Sequence, residues 1–436
     1  MSTAPATEHL RDVGRFFERT IGPLLLMLVC PPLTLILWVI VTRYDGSIAA
    51  YVGAFREHRV YRLLPLPSWW GVGVIGGWIG MQWALLRFLP GPIHRGPVTP
   101  RGVQPEYRQN GLLAWSVTHA LLVVGFGTGW LPARAFFERY GELLATLTVG
   151  AFLFCCFLYA KALIAPNSPD RVRTHNPVYD FFMGVELHPT VGSTSIKQLL
   201  NCRVSMMGWS AVDVAACAYQ IETQGTLSTP LLASSLILVF YLFKFFAWET
   251  GYFASLDIMH DRFGFYVCWG VLAWVPAVYP IAQIYLAVHT TELSVPVAGA
   301  IALAGIGAIS MNYAADAQRQ RVRQSGGSCR VWWAPPKVIR AQYRCEDGST
   351  RENLLLTSGY WGLSRHFHYV PELMTAVAWT IPAGTSHALP YIYVVFLGIL
   401  LFHRAERDDA RCAGKYGPAW VEYKRRVPYR ILPGLY

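Results

Sequence analysis

The stretch Thr20–Thr42 reads TIGPLLLMLVCPPLTLILWVIVT and contains no charged residue. A helix of about 20 apolar residues is long enough to cross the hydrocarbon core of a bilayer. The rest of the chain has the same character: its 436 residues are 53% hydrophobic and 14% charged, with a mean hydropathy of +0.32. Since an ordinary soluble domain is about 25% charged, the sequence predicts a membrane protein and excludes a secreted protein, a disordered tail and a large soluble enzyme.

Further apolar runs follow this first one, and together they predict an all-α polytopic membrane protein with about ten transmembrane helices. The runs after the first are 68–89, 112–131, 143–165, 204–222, 231–248, 264–288, 295–313, 370–385 and 388–403. We expect the last two, which are short, to form a hairpin through Pro382, Ala383 and Gly384.

The segment Gly71–Gly76 reads GVGVIG and matches a dinucleotide-binding pattern. It lies inside an apolar run, with no preceding strand and no acid about 20 residues later, so the pattern does not indicate a nucleotide site here. The spacings of Gly73 with Gly77 and of Gly76 with Gly80 instead predict close packing of membrane helices.

Basic residues concentrate in two segments: 315–351 and 404–430 hold eight Lys or Arg each, of 37 in the chain. Two interpretations remain open, a cytosolic location under the positive-inside rule and an anion site at the cytosolic mouth. Between the two segments, the alternation in Arg330–Leu356 and the turn Glu346–Gly348 predict a small cytosolic β-hairpin. The tail predicts an amphipathic helix that stops at Val427 and Pro428.

These observations divide the chain into three parts. Residues 1–19 are expected to be an uncleaved cytosolic N-terminus, residues 20–313 the membrane helices, and residues 314–436 a C-terminal part with the hairpin, two short spans and the tail. Nine scattered cysteines without a Cys-x-x-Cys spacing indicate neither a disulfide framework nor a zinc site.

Polar residues at membrane depth are costly and usually functional. Between two runs lie Glu249, Asp257, His260, Asp261 and Arg262. At helical spacing, Asp257 and Asp261 would share a face with His260 beside it. A proton relay, a metal site and a buried structural network all fit this pattern, but two carboxylates and one His are too few to name a metal, so none is predicted.

Two C-terminal strings carry a resemblance to a known family. They are LLLTSGYWGLSRHFHYVPE at Leu354–Glu372 and LLFHRAERDDARCAGKYGPAWVEYKRRVPYRILPGLY at Leu400–Tyr436. Together with YDFFMGVELHP at Tyr179–Pro189 and WETGYFASLDIMHDRFGFYVCWG at Trp248–Gly270, they resemble the membrane sterol reductase family. The form of the last string is most similar to the Δ7 branch of that family.

The resemblance implies a roughly ten-span enzyme of the endoplasmic reticulum, or of the inner membrane in a bacterium. Such an enzyme uses NADPH to reduce the C7–C8 double bond of a 5,7-diene sterol, by protonation and then hydride transfer, with the sterol pocket among the helices of 20–313. The implied partners are the sterol, membrane lipid and other enzymes of sterol biosynthesis. Nucleic acid is not expected, because only about 19 residues precede the first span.

The resemblance also implies site residues by position. NADPH contacts fall on Arg319, Arg323, Leu356, Trp361, His368, Tyr369, Asp408, Cys412, Ala413, Gly414, Lys415, Tyr416 and Tyr423. Candidates for the catalytic acid are Glu249, Tyr252, Asp257, His260 and Tyr279, with Asp408 able to link the cofactor and sterol pockets. Three alternatives stay open: a Δ14-reductase, a membrane methyltransferase of the isoprenylcysteine type, and a non-catalytic sterol-binding subunit.

Overall fold

The computed structural model describes residue 14 and residues 16–57, 60–99, 101–344 and 348–436. Within these ranges the chain is mostly helical, and it divides into two compact units. The first unit comprises Met1–Ser228, Leu242–Thr290 and His387–Leu389, and the second comprises Thr229–Tyr241, Thr291–Ser386 and Pro390–Tyr436. The predicted cytosolic N-terminus, 1–19, lies largely outside the described residues.

The α-helices are numbered here in chain order. They are α1 (Gly22–Arg43), α2 (Ile48–Glu57), α3 (Trp69–Phe88), α4 (Gly111–Gly127), α5 (Ala133–Glu138), α6 (Tyr140–Ile164), α7 (Pro177–Met183), α8 (Met206–Gln224), α9 (Thr229–Ala247), α10 (Glu249–Tyr252), α11 (Leu256–Met259), α12 (Val275–Val278), α13 (Ile281–Val288), α14 (Val295–Gln324), α15 (Tyr360–Leu363), α16 (Tyr369–Thr380), α17 (Ile392–Tyr416) and α18 (Pro418–Arg426). Wider π-helical segments are Phe17–Ile21, Gln198–Ser205 and Phe265–Trp274, and 3-10 turns are Val60–Leu63, Ile381–Ala383 and Leu389–Tyr391.

The strands form three separate antiparallel pairs. These are β1 (Ile93–Arg95) with β2 (Glu106–Arg108), β3 (Thr190–Val191) with β4 (Thr194–Ser195), and β5 (Val338–Arg344) with β6 (Thr350–Leu356). The third pair runs in register from Val338 opposite Leu356 to Arg344 opposite Thr350. This confirms the predicted β-hairpin, although Glu346 and Asp347 of its turn lie outside the described residues.

Six helical segments of the described residues are long and apolar enough to cross a membrane: Phe17–Arg43, Tyr140–Ile164, Thr229–Ala247, Phe265–Val288, Val295–Gln324 and Leu389–Tyr416. They confirm a helical membrane protein, but they do not support the prediction of about ten spans. The run 112–131 forms a 17-residue helix, and the run 370–385 forms a 12-residue helix ended by a 3-10 turn. The other two runs are 68–89, which forms α3, and 204–222, which forms most of α8. The Trp and Gly residues of α3 and the polar residues of α8 lower the mean hydropathy of these helices, so neither is a candidate span.

The glycines of α3 also pack differently from the prediction. A side chain at Gly73, Gly76, Gly77 or Gly80 would meet no atom within 4 Å. Gly71 makes the close approach instead, because a Cβ there would lie 2.4 Å from Thr146 Oγ1 on α6. A small residue does let α3 approach a neighbouring helix, as membrane packing favours, but at a different position of the helix.

The second unit is built on α14, which packs along α16, while α16 in turn packs on α17. A 3-10 turn at Ile381–Ala383 and a left-handed Gly384, with φ of +71°, reverse the chain between α16 and α17, as predicted. The strand β5 lies against both α17 and α18. This packing brings the end of α14, the β-hairpin and the charged tail into one region.

Candidate functional site

Arg319 and Arg323 lie one helical turn apart near the end of α14 and therefore share a face. The guanidinium carbon of Arg319 lies 3.9 Å from the ring centroid of Trp361, a cation–π arrangement. One nitrogen of Arg319 also pairs with the Asp316 carboxylate at 3.0 Å. Trp361 is fixed because its indole N–H donates to the Ala315 carbonyl at 2.7 Å.

Arg323 has no hydrogen bond or ion pair from its guanidinium to any of the described residues. It interacts electrostatically with Tyr416, Tyr423 and Cys412, and is repelled by Arg319. Burial raises the pKa of Tyr423 to about 12, against the opposing effect of Arg319 and other nearby arginines. The Tyr423 hydroxyl therefore stays protonated and can donate a hydrogen bond at physiological pH.

Lys415 completes this group of cations. Its ammonium lies 4.0 Å from the ring centroid of Tyr343 and 5.3 Å from that of Tyr416. The Tyr416 hydroxyl accepts a hydrogen bond from the Asn353 side chain at 2.7 Å. We call Arg319, Arg323, Trp361, Lys415, Tyr416 and Tyr423 the basic–aromatic cluster; all six belong to the second unit.

The other predicted cofactor residues lie around this cluster in the same unit. Cys412 is buried with Tyr416 and Tyr423, whereas Ala413 and Gly414 are exposed on α17. Leu356 is buried beside Trp361 in an apolar group with Val322. Arginine and lysine next to aromatic faces suit a ligand that has both phosphates and planar rings.

A second group of rings connects the cluster to Asp408. The His368 ring lies 5.0 Å from Trp361 and 4.3 Å from Tyr369, measured between centroids. The His366 ring stacks on Tyr369 at 5.2 Å, and its Nε2 lies 3.9 Å from an Asp408 oxygen. Asp408 also accepts a hydrogen bond from Arg411 Nε at 3.2 Å. The structure thus brings His368, Tyr369 and Asp408 together.

Arg365 and His366 lie within the string Leu354–Glu372 that carries the resemblance, but they were not predicted as site residues. Arg365 is buried, and one of its nitrogens donates to the carbonyls of Val427 and Pro428, each at 2.8 Å. The backbone N–H of Arg365 donates to the Tyr429 carbonyl at 3.0 Å. Arg365 therefore fixes the chain after α18 beside the site. Its partners are backbone carbonyls, and the side chains of the partner residues therefore give no indication of the contact in the sequence. The only signal was the presence of basic residues in the string SRHFH.

Burial is the main reason that the pKa of His366 falls to about 3; the neighbouring His368 lowers it further, while Asp408 partly opposes the shift. In the unfolded chain this pKa is about 6.5. Below that pH the unfolded state binds a proton that the folded state does not, so folding stability decreases as the pH falls towards 3.

We expect this residue to cost about 2 kcal/mol of folding stability between neutral pH and about pH 5, because one pKa unit corresponds to about 1.4 kcal/mol. The measurement is the pH dependence of thermal unfolding of the purified protein. H366Q should flatten this dependence, whereas H403Q, at an exposed position on α17, should leave it unchanged. An unchanged pH profile in H366Q would contradict the prediction.

Among the acid candidates of the first unit, Glu249 has the most complete set of partners. Glu249 and Arg203 are both fully buried and form an ion pair. Both carboxylate oxygens contact the guanidinium, and one also accepts from the Gly111 N–H at 3.1 Å. Arg203 donates further to the Asn110 side chain at 3.0 Å. These contacts tie Glu249 into a buried network of Arg203, Asn110 and the Gly111 backbone.

The segment with the remaining polar candidates is organised by a buried lysine. Lys197 Nζ donates to the carbonyls of Asp257, Ile258 and Asp261, at 3.0, 2.7 and 2.5 Å. Burial lowers the pKa of this lysine to about 7, although Asp261 and Asp257 oppose the shift. The predicted helix face is wrong, because α11 ends at Met259 and Asp261 lies beyond it.

The other first-unit candidates lie at different places in that unit. His260 is exposed, Tyr252 contacts the ring of Phe245 at 4.9 Å, and Tyr279 contacts Trp209 edge-on at 5.1 Å. In the described part of the chain, no three His, Cys, Asp or Glu side chains are grouped so that they could hold a metal ion. Asp408 is therefore the one candidate acid that shares a unit with the basic–aromatic cluster.

Comparison with known proteins decides the family. The model of the "Ergosterol biosynthesis ERG4/ERG24 family" matches residues 17–436, nearly the whole chain. The chain belongs to this sterol reductase family. Its six apolar spans agree with a membrane protein, and the expected resemblance is confirmed.

Curated relatives of the family align over almost their full length. A 7-dehydrocholesterol reductase of Arabidopsis thaliana is 42% identical over 415 residues, which cover 94% of this chain and 96% of the relative. A Delta(14)-sterol reductase of Methylotuvimicrobium alcaliphilum is 35% identical over 416 residues, 95% of this chain and 94% of the relative. A 7-dehydrocholesterol reductase of Xenopus laevis is 30% identical over 452 residues, 98% of this chain and 96% of the relative.

Proposed function

We propose that this member of the family reduces the C7–C8 double bond of a 5,7-diene sterol with NADPH. The observation that carries the proposal is Arg323, a cation without an acidic partner among the described residues, set among Tyr416, Tyr423 and Arg319. Arg323 is exposed and is therefore accessible to a ligand from solution, and a guanidinium beside aromatic hydroxyl groups suits a phosphate anion. We place the enzyme in the endoplasmic reticulum membrane, or in the inner membrane if its source is a bacterium.

The residues of the basic–aromatic cluster fit the chemistry of a dinucleotide phosphate. Arg323 and Lys415 would bind phosphate oxygens, Arg323 through two parallel hydrogen bonds. Arg319 is already stacked on Trp361 and uses one outer nitrogen to pair with Asp316, so its other outer nitrogen would donate to the ligand. The protonated hydroxyl of Tyr423 adds a neutral donor. Bound NADPH supplies the hydride.

A ring diene that carries no electron-withdrawing group accepts hydride poorly, so a proton must reach one diene carbon first, from an acid on the opposite side of the ring. Asp408 is the acid candidate in the same unit as the cluster, and it contacts Arg411 and lies near His366. His366 is neutral at physiological pH, because its pKa is about 3. We propose that Asp408 and His366, whose Oδ2 and Nε2 atoms lie 3.9 Å apart, orient the reacting groups.

The Δ7 assignment is tested by expressing the protein in microsomes rich in 5,7-diene sterols. We expect the conjugated-diene absorbance to disappear with NADPH, and the sterol mass to rise by two hydrogens. Microsomes that lack the protein serve as the control. Unchanged diene together with consumption of a Δ14 sterol would overturn the assignment in favour of the other activity named among the relatives.

The two remaining alternatives make different predictions. A methyltransferase would retain S-adenosylmethionine and ignore NADPH, and the family match over residues 17–436 argues against it. A non-catalytic sterol-binding subunit would bind sterol without turnover. Binding of NADPH to the purified protein, followed by sterol turnover, would remove both.

A further inference from the structure

Residues 330–334, with the sequence RVWWA, form a tight turn between α14 and β5. Val331 and Ala334 are joined by two backbone hydrogen bonds, of 2.9 and 3.2 Å. Trp332 and Trp333 occupy the tip, and Trp332 has a φ of +53°, a left-handed conformation that is rare for a bulky residue. We call Val331–Ala334 the tryptophan turn.

The base of the tryptophan turn is anchored, while its tip points outward. Val331 is buried in the apolar group of Leu354, Leu356 and Trp361. By contrast, Trp332 is 51% exposed and Trp333 is 89% exposed. The Trp332 ring lies edge-on to the Tyr360 ring, with 5.6 Å between centroids. The left-handed backbone at Trp332 and the exposure of two indole rings to water both cost free energy. An interaction that offsets this free energy is expected, which indicates a binding partner for the tip.

The charges around the turn indicate what that partner is. Arg330 and Lys337 flank it, and both are exposed. From residue 317 to residue 345 the sequence contains seven Lys or Arg and no acid. Tryptophan prefers the boundary between bilayer and water, where its ring lies among apolar chains and its N–H is hydrated. Nearby Lys and Arg add attraction to anionic headgroups.

The tryptophan turn also follows a membrane helix closely. The last residue of α14, a candidate span, is Gln324, only eight positions before Trp332. We propose that the tryptophan turn inserts Trp332 and Trp333 into the headgroup layer of the bilayer that α14 crosses, with Arg330 and Lys337 on anionic lipid. This contact is independent of the reaction catalysed, and it holds the base of the β-hairpin, and with it Leu356, at the membrane surface.

The test uses the full chain in nanodiscs that contain phosphatidylcholine and phosphatidylserine. An environment-sensitive amino acid, dansylalanine, replaces Trp333 in one sample and Ser349 in another. Ser349 is exposed at the far end of the same hairpin, about 20 Å away, since seven strand residues rise roughly 3.3 Å each. Because Trp333 is exposed, its replacement removes no packing inside the protein. Lipids brominated near the glycerol end of their acyl chains serve as quenchers.

We expect brominated lipid to quench the probe at position 333 several-fold more strongly than the probe at position 349. Replacing both flanking bases, in R330Q/K337Q, should reduce the quenching at 333 and remove its dependence on phosphatidylserine. Equal quenching at the two positions would overturn the proposal. A second outcome would also overturn the proposal. If aqueous iodide quenches the probe at position 333 in nanodiscs but not in native membranes, the tip is covered by a protein partner and not by lipid.

Discussion

R323Q should raise the Kd for NADPH about ten- to a hundredfold, since a charge-assisted hydrogen bond contributes about 1.5–3 kcal/mol and each 1.4 kcal/mol is a factor of ten. The substitution removes the cation that lacks an acidic partner among the described residues, so no buried carboxylate is left unpaired. Folding stability should therefore change little. Calorimetric titration of the purified protein with NADPH measures the affinity, and a thermal melt measures the stability.

Arg321 provides the matched control. It lies two residues earlier on α14 and is exposed, and because residues two apart do not share a helix face, it faces away from the cluster. R321Q removes the same charge and should leave the NADPH affinity within about twofold, as expected for a distant, screened charge. R323K should fall between R323Q and the parent chain, because it keeps the charge but loses the paired donors. Equal losses in R321Q and R323Q would show that Arg323 does not bind a phosphate.

E249Q should destabilise the protein by about 3–5 kcal/mol, because breaking a buried ion pair leaves an uncompensated charge. In this case the residue left behind is Arg203, which is fully buried. The variant should therefore show poor recovery from membranes and a lowered melting temperature. Loss of turnover in E249Q alone would not identify Glu249 as the catalytic acid.

The double variant R203M/E249M separates the two roles of Glu249. Replacing both partners of a buried pair by apolar residues is often neutral for stability, so the double variant should recover much of the stability lost in E249Q. If Glu249 is structural, sterol turnover should return with stability. A double variant that is stable, binds NADPH and has no turnover would support Glu249 as the acid and contradict the structural assignment.

The sequence predicted the elements whose signal is local. The apolar run 20–42 became part of a span, and the alternation before Leu356 became β5 and β6, because each pattern reflects one periodicity over a few residues. The predicted number of spans is not supported, because it too was based on a local signal, the length of each apolar run. The run 204–222 was predicted to be a span because most of its residues are apolar. It also contains polar residues such as the buried Asp213 of α8, whose interactions inside the protein cannot be read from the sequence.

The resemblance named residues of the candidate site, but it could not name their contacts. Arg319, Trp361 and Tyr423 were named through resemblance, and the structure brings them into one unit. The role of Arg365 could not be predicted, because it binds backbone carbonyls of residues more than sixty positions away. Similarly, the pairing of Arg203 with Glu249 depends on long-range packing, so the sequence could present Glu249 only as an acid without a known partner.

One continuous helix, α17, carries both the apolar residues after Ile392 and the charged residues up to Tyr416. Its 25 residues make a rod about 38 Å long, and no proline interrupts it before Gly417. A tilt of about 10° at its apolar end would thus displace Lys415 by roughly 6 Å. Such a lever would make nucleotide affinity sensitive to bilayer thickness, since hydrophobic mismatch is relieved by tilting a helix.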